Sequence, residues 1–341
     1  MSGGHQALPD DVAPQRLTRR ALQVFALVVV LILIAVLTPG LGDVRDLLTS
    51  AAPGWMAIAV VFELLSCASY VLMFRPIFCR AMGWRTSWEI AGSELAVGSI
   101  VPASGAAGVA LGAWVLTRGG MSAEKVARRS VAFLLIKSSV NFVAVAVLGA
   151  VMVFTSDQPL WLTAVPAALA TAAIALVAAV PRLGPGADPR EDAGKVRKAV
   201  AATRKALVGG TAEAVEIVRE HDALVLIGAL GYWAWDNAVL WATFHAVGVS
   251  VPLTTILMGY LIGQIGGLLP LPGGVGGIDG GVIGTLIVYG APAAATTAAV
   301  LLYRVVLFWI PLLTGAVAFW SLRRALAEDR RLDLCHPPQI E

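Results

Sequence analysis

Two cationic side chains lie within hydrophobic stretches of this sequence, where an ionisable group is costly and therefore suggests a function. Arg304 lies about twelve residues into an apolar stretch, which at ~1.5 Å per residue places it ~18 Å deep, near the middle of a bilayer. Lys137 occupies a related place 167 residues earlier, and Asn141 follows it by four residues on the same helical face. Two such cations suit an anion, most simply a lipid phosphate. In the alternative interpretation, each cation pairs with a carboxylate and only holds helices together.

Several acidic residues share these hydrophobic stretches and leave further alternatives open. Asp279 could pair with Arg304, hold a proton or cation, or cap a helix. Glu63, Glu94 and Asp236 either tie helices to one another or line a pathway. These residues must be positioned by membrane elements, and a repeated phrase indicates which ones.

The repeated phrase combines proline and glycine, the residues at which membrane helices break. Residues 99–108 read SIVPASGAAG and residues 267–276 read GLLPLPGGVG, and three matching positions are offset by 168. Breaks at corresponding positions of two halves are typical of transporter substrate sites. The predicted hinge residues are Pro102, Gly105, Gly108, Pro270, Pro272, Gly273, Gly274 and Gly276.

The composition requires lipid as a solvent. Of the 341 residues, 58% are hydrophobic and only 14% are charged, against about 25% charged in soluble proteins. Six stretches are long enough to span a bilayer, at about residues 20–38, 55–75, 130–154, 160–181, 222–247 and 292–321. The three cysteines lack metal-ligand spacing, and we expect them to be isolated thiols.

The placement of basic residues predicts the topology. Clusters at about 16–20, 75–85, 118–129, 182–219 and 323–331 should all be cytoplasmic. This requires residues 87–117 to enter and leave from the cytoplasmic side, and residues 252–290 to do the same from the outer side. Three crossings per half then make the halves inverted. The predicted fold class is an all-α membrane protein with six transmembrane helices plus two re-entrant helical hairpins in an inverted repeat.

The domain organisation follows from that topology. We expect a disordered cytoplasmic N-terminus (1–16), a first membrane repeat (17–181), a basic cytoplasmic linker (182–220) that could form a surface helix, a second membrane repeat (221–322) and a cytoplasmic tail (323–341). The glycine-rich stretch near residue 276 lacks the Lys-Ser/Thr of a nucleotide-binding loop. We therefore expect no enzyme activity, no cofactor, no metal site and no nucleic-acid partner.

Residues 268–315 resemble the lysylphosphatidylglycerol synthase transmembrane-region family of flippase-like membrane proteins. The family pattern is Pro-x-Pro-Gly-Gly-x-Gly followed by an acidic residue, then Gly-x-Pro, then an aromatic-Arg pair. It matches here at Pro270, Pro272, Gly273, Gly274, Gly276, Asp279, Gly290, Pro292, Tyr303 and Arg304. The family usually has Glu where this chain has Asp279, and the first copy of the repeated phrase fits it more loosely.

The resemblance implies a stand-alone member, without a synthase domain, that moves an anionic phospholipid or a polyprenyl-linked glycolipid between the leaflets of the inner (plasma) membrane. The hypothesised substrate-binding residues are Arg304, Lys137, Asp279, Tyr303 and Asn141. Two alternatives remain open at this point. One is a small-solute or ion-coupled secondary transporter, and the other is an accessory subunit of a membrane glycosyltransferase or synthase.

Overall fold

The computed structural model describes residues 18, 19, 22, 23, 25, 26, 29, 42–100, 106–184, 186, 194–264 and 277–327, which form helices joined by short connections. The helices are α1 Gly42–Thr49, α2 Pro53–Phe78, α3 Trp84–Ile100, α4 Ala106–Arg118, α5 Ala123–Thr155, α6 Leu160–Ala179, α7 Lys195–Arg219, α8 Ala223–Ala246, α9 Leu253–Gly263, α10 Gly277–Val288 and α11 Ala293–Ala327. A short 3₁₀ turn, Val180–Leu183, extends α6.

Five helices of the described part, α2, α5, α6, α8 and α11, are long and apolar enough to cross a membrane. They confirm five of the six predicted spans as apolar helices. The first predicted span, at about residues 20–38, lies mostly outside the described residues. The predicted bounds of these spans lie close to those of the helices because a bilayer selects segments by their hydrophobic length.

Helices α2 and α8 lie antiparallel along their full length. At one end Arg80 forms a salt bridge with Asp222. At the other, the Ala52 amide donates to the carbonyl oxygen of Ala246 at 2.8 Å.

Small residues allow these two backbones to approach closely, as is usual between membrane helices. A Cβ atom added to Gly228 would lie 2.7 Å from the backbone nitrogen of Met73, and one added to Gly231 would lie 2.6 Å from the Ser69 hydroxyl. The two helices α2 and α8 are therefore tightly packed against each other.

Each region predicted to bend back holds two short helices that pack on each other. In the first, α3–α4, Glu94 lies against two glycines of α4. A Cβ atom added to Gly108 would lie 2.2 Å from the carbonyl oxygen of Glu94, and one added to Gly112 would lie 1.6 Å from its Oε1 atom. In the second, α9–α10, Gly263 lies against Val282, whose Cα would be 2.5 Å from an added Cβ. The chain therefore reverses direction in both regions, and we call these pairs the first and the second hairpin.

Of the predicted hinge residues, one lies in a described helix. Gly108 lies in the first turn of α4. The others, Pro102, Gly105, Pro270, Pro272, Gly273, Gly274 and Gly276, lie outside the described residues. Their role as hinges stays a prediction.

The order of elements repeats along the chain. A long helix, a helical hairpin and a second long helix appear as α2 to α5 and again as α8 to α11. The first residues of the four helices in each set (53, 84, 106, 123 and 223, 253, 277, 293) differ by 170, 169, 171 and 170. These differences are close to the 168-residue offset between the two copies of the Pro-Gly phrase. The inverted relation of the two halves stays a prediction.

Two hydrophobic cores lie at opposite ends of the α2–α8 pair. One surrounds the C-terminal part of α2 and the first hairpin, with Phe74 and Leu116 among its buried residues. The other surrounds the C-terminal part of α8 and the second hairpin, with Phe244 and Ile256 buried in it. Between them, the middle of both helices carries polar side chains.

Helix α7 is the surface helix that the charge pattern of the linker suggested. It is held to α5 by Glu213, whose carboxylate accepts from Arg128 at 2.7 Å and from Arg129 at 3.0 Å. The expectation of isolated thiols is wrong for Cys79, which is disulfide-bonded, whereas Cys67 is a free thiol.

Candidate functional site

Six ionisable residues, each from a different helix, lie between the two hydrophobic cores. We call them the central cluster: Glu63 (α2), Glu94 (α3), Lys137 (α5), Asp236 (α8), Asp279 (α10) and Arg304 (α11). All four carboxyl-bearing residues are buried, with exposed fractions between 3% and 9%. Charged groups are seldom buried to this degree unless they are paired.

Arg304 and Asp279 form an ion pair that links α11 to the first turn of α10. The guanidinium Nε donates to Asp279 Oδ1 at 2.6 Å, and Nη2 contacts the same oxygen. Both side chains are largely buried, with 13% and 10% exposed. Of the alternatives that the sequence left open for Arg304 and Asp279, the ion pair is the arrangement observed.

Asp236 accepts hydrogen bonds from two tyrosines of the second half of the chain. The Tyr303 hydroxyl donates to Oδ1 at 3.1 Å, and the Tyr260 hydroxyl donates to Oδ2. These bonds connect α8 to α9 and α11, so the carboxylate position is fixed from both sides. Tyr303, a predicted site residue, thus reaches the cluster through its hydroxyl.

Glu94 and Lys137 occupy the corresponding place beside the first hairpin. The Tyr70 hydroxyl donates to Glu94 Oε2 at 2.9 Å. The Lys137 ammonium lies 5.6 Å from the ring centroids of both Tyr70 and Tyr232, within the range of a cation–π interaction. Lys137 is also within electrostatic reach of the carboxylates of Glu94 and Asp236.

Sequence reasoning found Tyr303 but missed Tyr70 and Tyr260 as partners of the buried acids, although a signal for them exists. Tyr70 precedes Glu94 by 24 residues, and Asp236 precedes Tyr260 by 24 residues. The tyrosine of one half therefore aligns with the acid of the other, because 236 − 70 and 260 − 94 both give 166. A search for equal polar spacing, irrespective of residue type, would have found both pairs.

Glu63 is the one carboxyl-bearing residue of the cluster with a fully buried side-chain oxygen that lacks a hydrogen-bond partner in the described structure. Its Oε2 atom is fully buried and unpartnered, and its Oε1 atom has only the Cys67 thiol at 3.8 Å. Asp236 faces it from α8 and interacts with it electrostatically. The rings of Phe62 and Trp235, which directly precede the two acids in sequence, stack with their centroids 5.5 Å apart. Glu63 and Asp236 therefore lie at the same level along the α2–α8 pair.

Asn141 is the predicted site residue that the structure does not connect to the cluster. It lies one helical turn beyond Lys137 on α5 and is half-buried. Its side chain forms no hydrogen bond with another described residue. Its assignment to the substrate site stays a prediction.

The fold and the cluster define an integral, multi-pass membrane protein whose spans surround buried ionisable groups. Residues 23–315 match the family model described as "Lysylphosphatidylglycerol synthase TM region". The chain therefore belongs to this family, and the resemblance found in the sequence is confirmed. The described helices α1 to α10 lie entirely within the matched region.

Two curated relatives are UPF0104 membrane proteins of Methanothermobacter thermautotrophicus. One is 37% identical over 91 residues, which is 26% of this chain and 26% of the relative. The other is 27% identical over 95 residues, 28% of each chain. The matched part thus spans about a quarter of the length of each relative.

Proposed function

We propose that this protein is a flippase-like transporter that moves an anionic phospholipid or a polyprenyl-linked glycolipid between membrane leaflets. The observation that carries the proposal is the central cluster, in which two cations lie between two helical hairpins. Family membership supports the same class of function. The prediction that the chain is not an enzyme stays a prediction.

In the proposed mechanism, the lipid phosphate replaces a carboxylate as the partner of Arg304. The guanidinium presents a planar fork of donors that matches a phosphate as well as a carboxylate. Since Asp279 already holds Arg304 in a desolvated position, the guanidinium stays paired with an anion throughout the exchange. Lys137 supplies a second positive charge on the other side of the cluster.

The proposed transport cycle uses the two hairpins as inner and outer barriers. They belong to hydrophobic cores at opposite ends of α2–α8, which is the arrangement expected if each hairpin enters from its own membrane face. Rocking of two inverted halves would then expose the cluster to each side in turn. We place both termini and the basic linker 182–220 in the cytoplasm, and the protein in the inner (plasma) membrane.

Fluorescent phosphatidylglycerol in proteoliposomes tests the proposal. We expect the wild-type protein to equilibrate the probe between leaflets, as measured by the fraction that external dithionite reduces. Arg304→Ala should slow this about ten- to hundredfold, because a hydrogen bond to a charged group contributes about 1.5–3 kcal/mol. Arg304→Lys keeps the charge but loses the planar fork of donors, so its rate of probe movement should lie between those of wild type and Arg304→Ala.

Arg204→Ala is the matched control, because Arg204 is exposed on α7 and its Nη2 donates to the carbonyl of Leu183 at 3.0 Å. It should leave probe movement unchanged. Equal rates for Arg304→Ala and wild type would show that the headgroup role of Arg304 is wrong.

A second candidate, an ion-coupled transporter of a small solute, is favoured by the excess of carboxyl groups over cations in the cluster. Solute uptake without movement of the lipid probe would support it. A third candidate is an accessory subunit that binds a membrane glycosyltransferase or synthase. In that case a stoichiometric partner would co-purify, and the chain alone would move neither the lipid probe nor a solute.

A further inference from the structure

The central cluster contains more acids than bases. Four carboxyl groups face two cations, so two negative charges would remain uncompensated if every group were ionised. Removing a carboxylate from water costs several kcal/mol unless a partner offsets it. Some of these groups must therefore carry a proton or bind a cation.

Glu63 is the member least able to stay ionised. Asp279 is paired with Arg304, Glu94 accepts from Tyr70, and Asp236 accepts from two tyrosines. Glu63, only 4% exposed, has an unpartnered buried oxygen instead. An orphaned carboxylate oxygen beside a second carboxylate is unfavourable, whereas a neutral carboxylic acid is tolerated there.

We infer that Glu63 and Asp236 form a proton-binding site, and that lipid movement is coupled to protons through it. The inference rests on the proposed function and names its energy source. A proton taken from water on one side would reside on Glu63 while the phosphate occupies Arg304. It would return to water on the other side when the lipid leaves.

The groups that face Glu63 are consistent with a shared proton. Cys67 lies one turn further on its own helix. Asp236 and Tyr232 approach from α8, and the Tyr303 hydroxyl interacts with it electrostatically from α11. Both Lys137 and Arg304 act electrostatically on Asp236. A proton on Glu63 would relieve the repulsion between the two acids without disturbing the ion pair of Arg304 with Asp279.

A proton fits this site better than a metal ion. Hard metal cations require about six oxygen ligands. Both Asp236 oxygens already accept tyrosine hydroxyls. Within the described residues, no group of three or more His, Cys, Asp and Glu side chains could hold a metal.

Infrared difference spectroscopy tests proton binding without reference to transport. The protein in phosphatidylglycerol nanodiscs should show the carbonyl band of a protonated carboxylic acid near neutral pH, and Glu63→Gln should weaken it. Glu89→Gln is the matched control, because Glu89 is equally buried (3% exposed) and accepts from Arg85 at 3.0 Å and Ser321 at 2.6 Å. Absence of the band in wild type, or an undiminished band in Glu63→Gln, would overturn the inference.

A transport experiment tests the coupling. With fluorescent phosphatidylglycerol in proteoliposomes, an imposed pH gradient should shift the probe toward one leaflet in wild type and in Glu89→Gln. Glu63→Gln should reduce the shift to the level of protein-free vesicles. A shift driven by a sodium gradient instead, or an undiminished shift in Glu63→Gln, would contradict proton coupling. If wild type moves no lipid probe, the proposed function fails, and the infrared band still decides whether Glu63 binds a proton.

Discussion

The contact between α3 and α11 leaves no room for a methyl group at Gly315. A Cβ atom there would lie 2.3 Å from the carbonyl oxygen of Gly92 and 2.6 Å from the Cβ of Ala96. A backbone carbonyl cannot rotate away as a side chain does, so Gly315→Ala must push the two helices apart. One consequence would be a longer bond between Ser321 and Glu89, which now measures 2.6 Å.

The expected effect on stability is the difference between two opposing contributions. Overpacking of this kind costs about 1–3 kcal/mol. Replacing a helical glycine by alanine returns about 0.5–1 kcal/mol. Gly315→Ala should therefore lower the free energy of unfolding by about 1–2 kcal/mol when both are combined.

Comparison with Gly284→Ala isolates the steric contribution at Gly315. Gly284 lies on the exposed side of α10, and nothing is within 4 Å of an added Cβ. It should gain the helix-propensity term alone and be at least as stable as wild type. Denaturant unfolding in detergent micelles, followed by tryptophan fluorescence, measures both variants. Equal midpoints for Gly315→Ala and Gly284→Ala would refute the close approach of α3 and α11.

Three further variants probe the polar network and the linker helix. Asp279→Asn should lower the free energy of unfolding by about 3–5 kcal/mol, because it leaves the Arg304 charge buried without this counter-ion. Adding Arg304→Gln should recover most of the loss. A double variant as unstable as the sum of the two single variants would contradict this pairing. Tyr70→Phe removes the donor to Glu94 and should cost about 1–3 kcal/mol in the same measurement, and no change would mean that the bond is not formed. Glu213→Gln should speed trypsin cleavage in the linker 182–220 without changing unfolding of the spans, and unchanged cleavage would show that this carboxylate does not hold α7.

The spans and the hairpin positions were predictable from the sequence because they depend on local properties. Hydrophobic length marks α2, α5, α6, α8 and α11, and each Pro-Gly phrase lies at the junction of the two short helices of a hairpin. Neither property requires knowledge of distant residues. The first predicted span and most hinges lie outside the described residues, so those predictions are untested.

The candidate site was predictable only in part. Arg304, Lys137 and Asp279 were found because charges are rare within apolar stretches. The ion pair of Arg304 with Asp279 was one of several alternatives, since residue type alone does not select a counter-ion. The roles of Tyr70 and Tyr260 as partners of buried acids were missed because a tyrosine in a membrane helix is not unusual in itself.

The sequence by itself determined which segments enter the membrane and which side chains cannot be solvated there, because transfer from water depends on residue type and segment length. Only the tertiary structure decided which of those side chains meet. Glu63 and Asp236 are 173 positions apart, as their numbers show, and face each other because α2 and α8 pack antiparallel through glycines. Whether a buried acid is paired or left with an orphaned oxygen depends on that packing, and no local pattern records it.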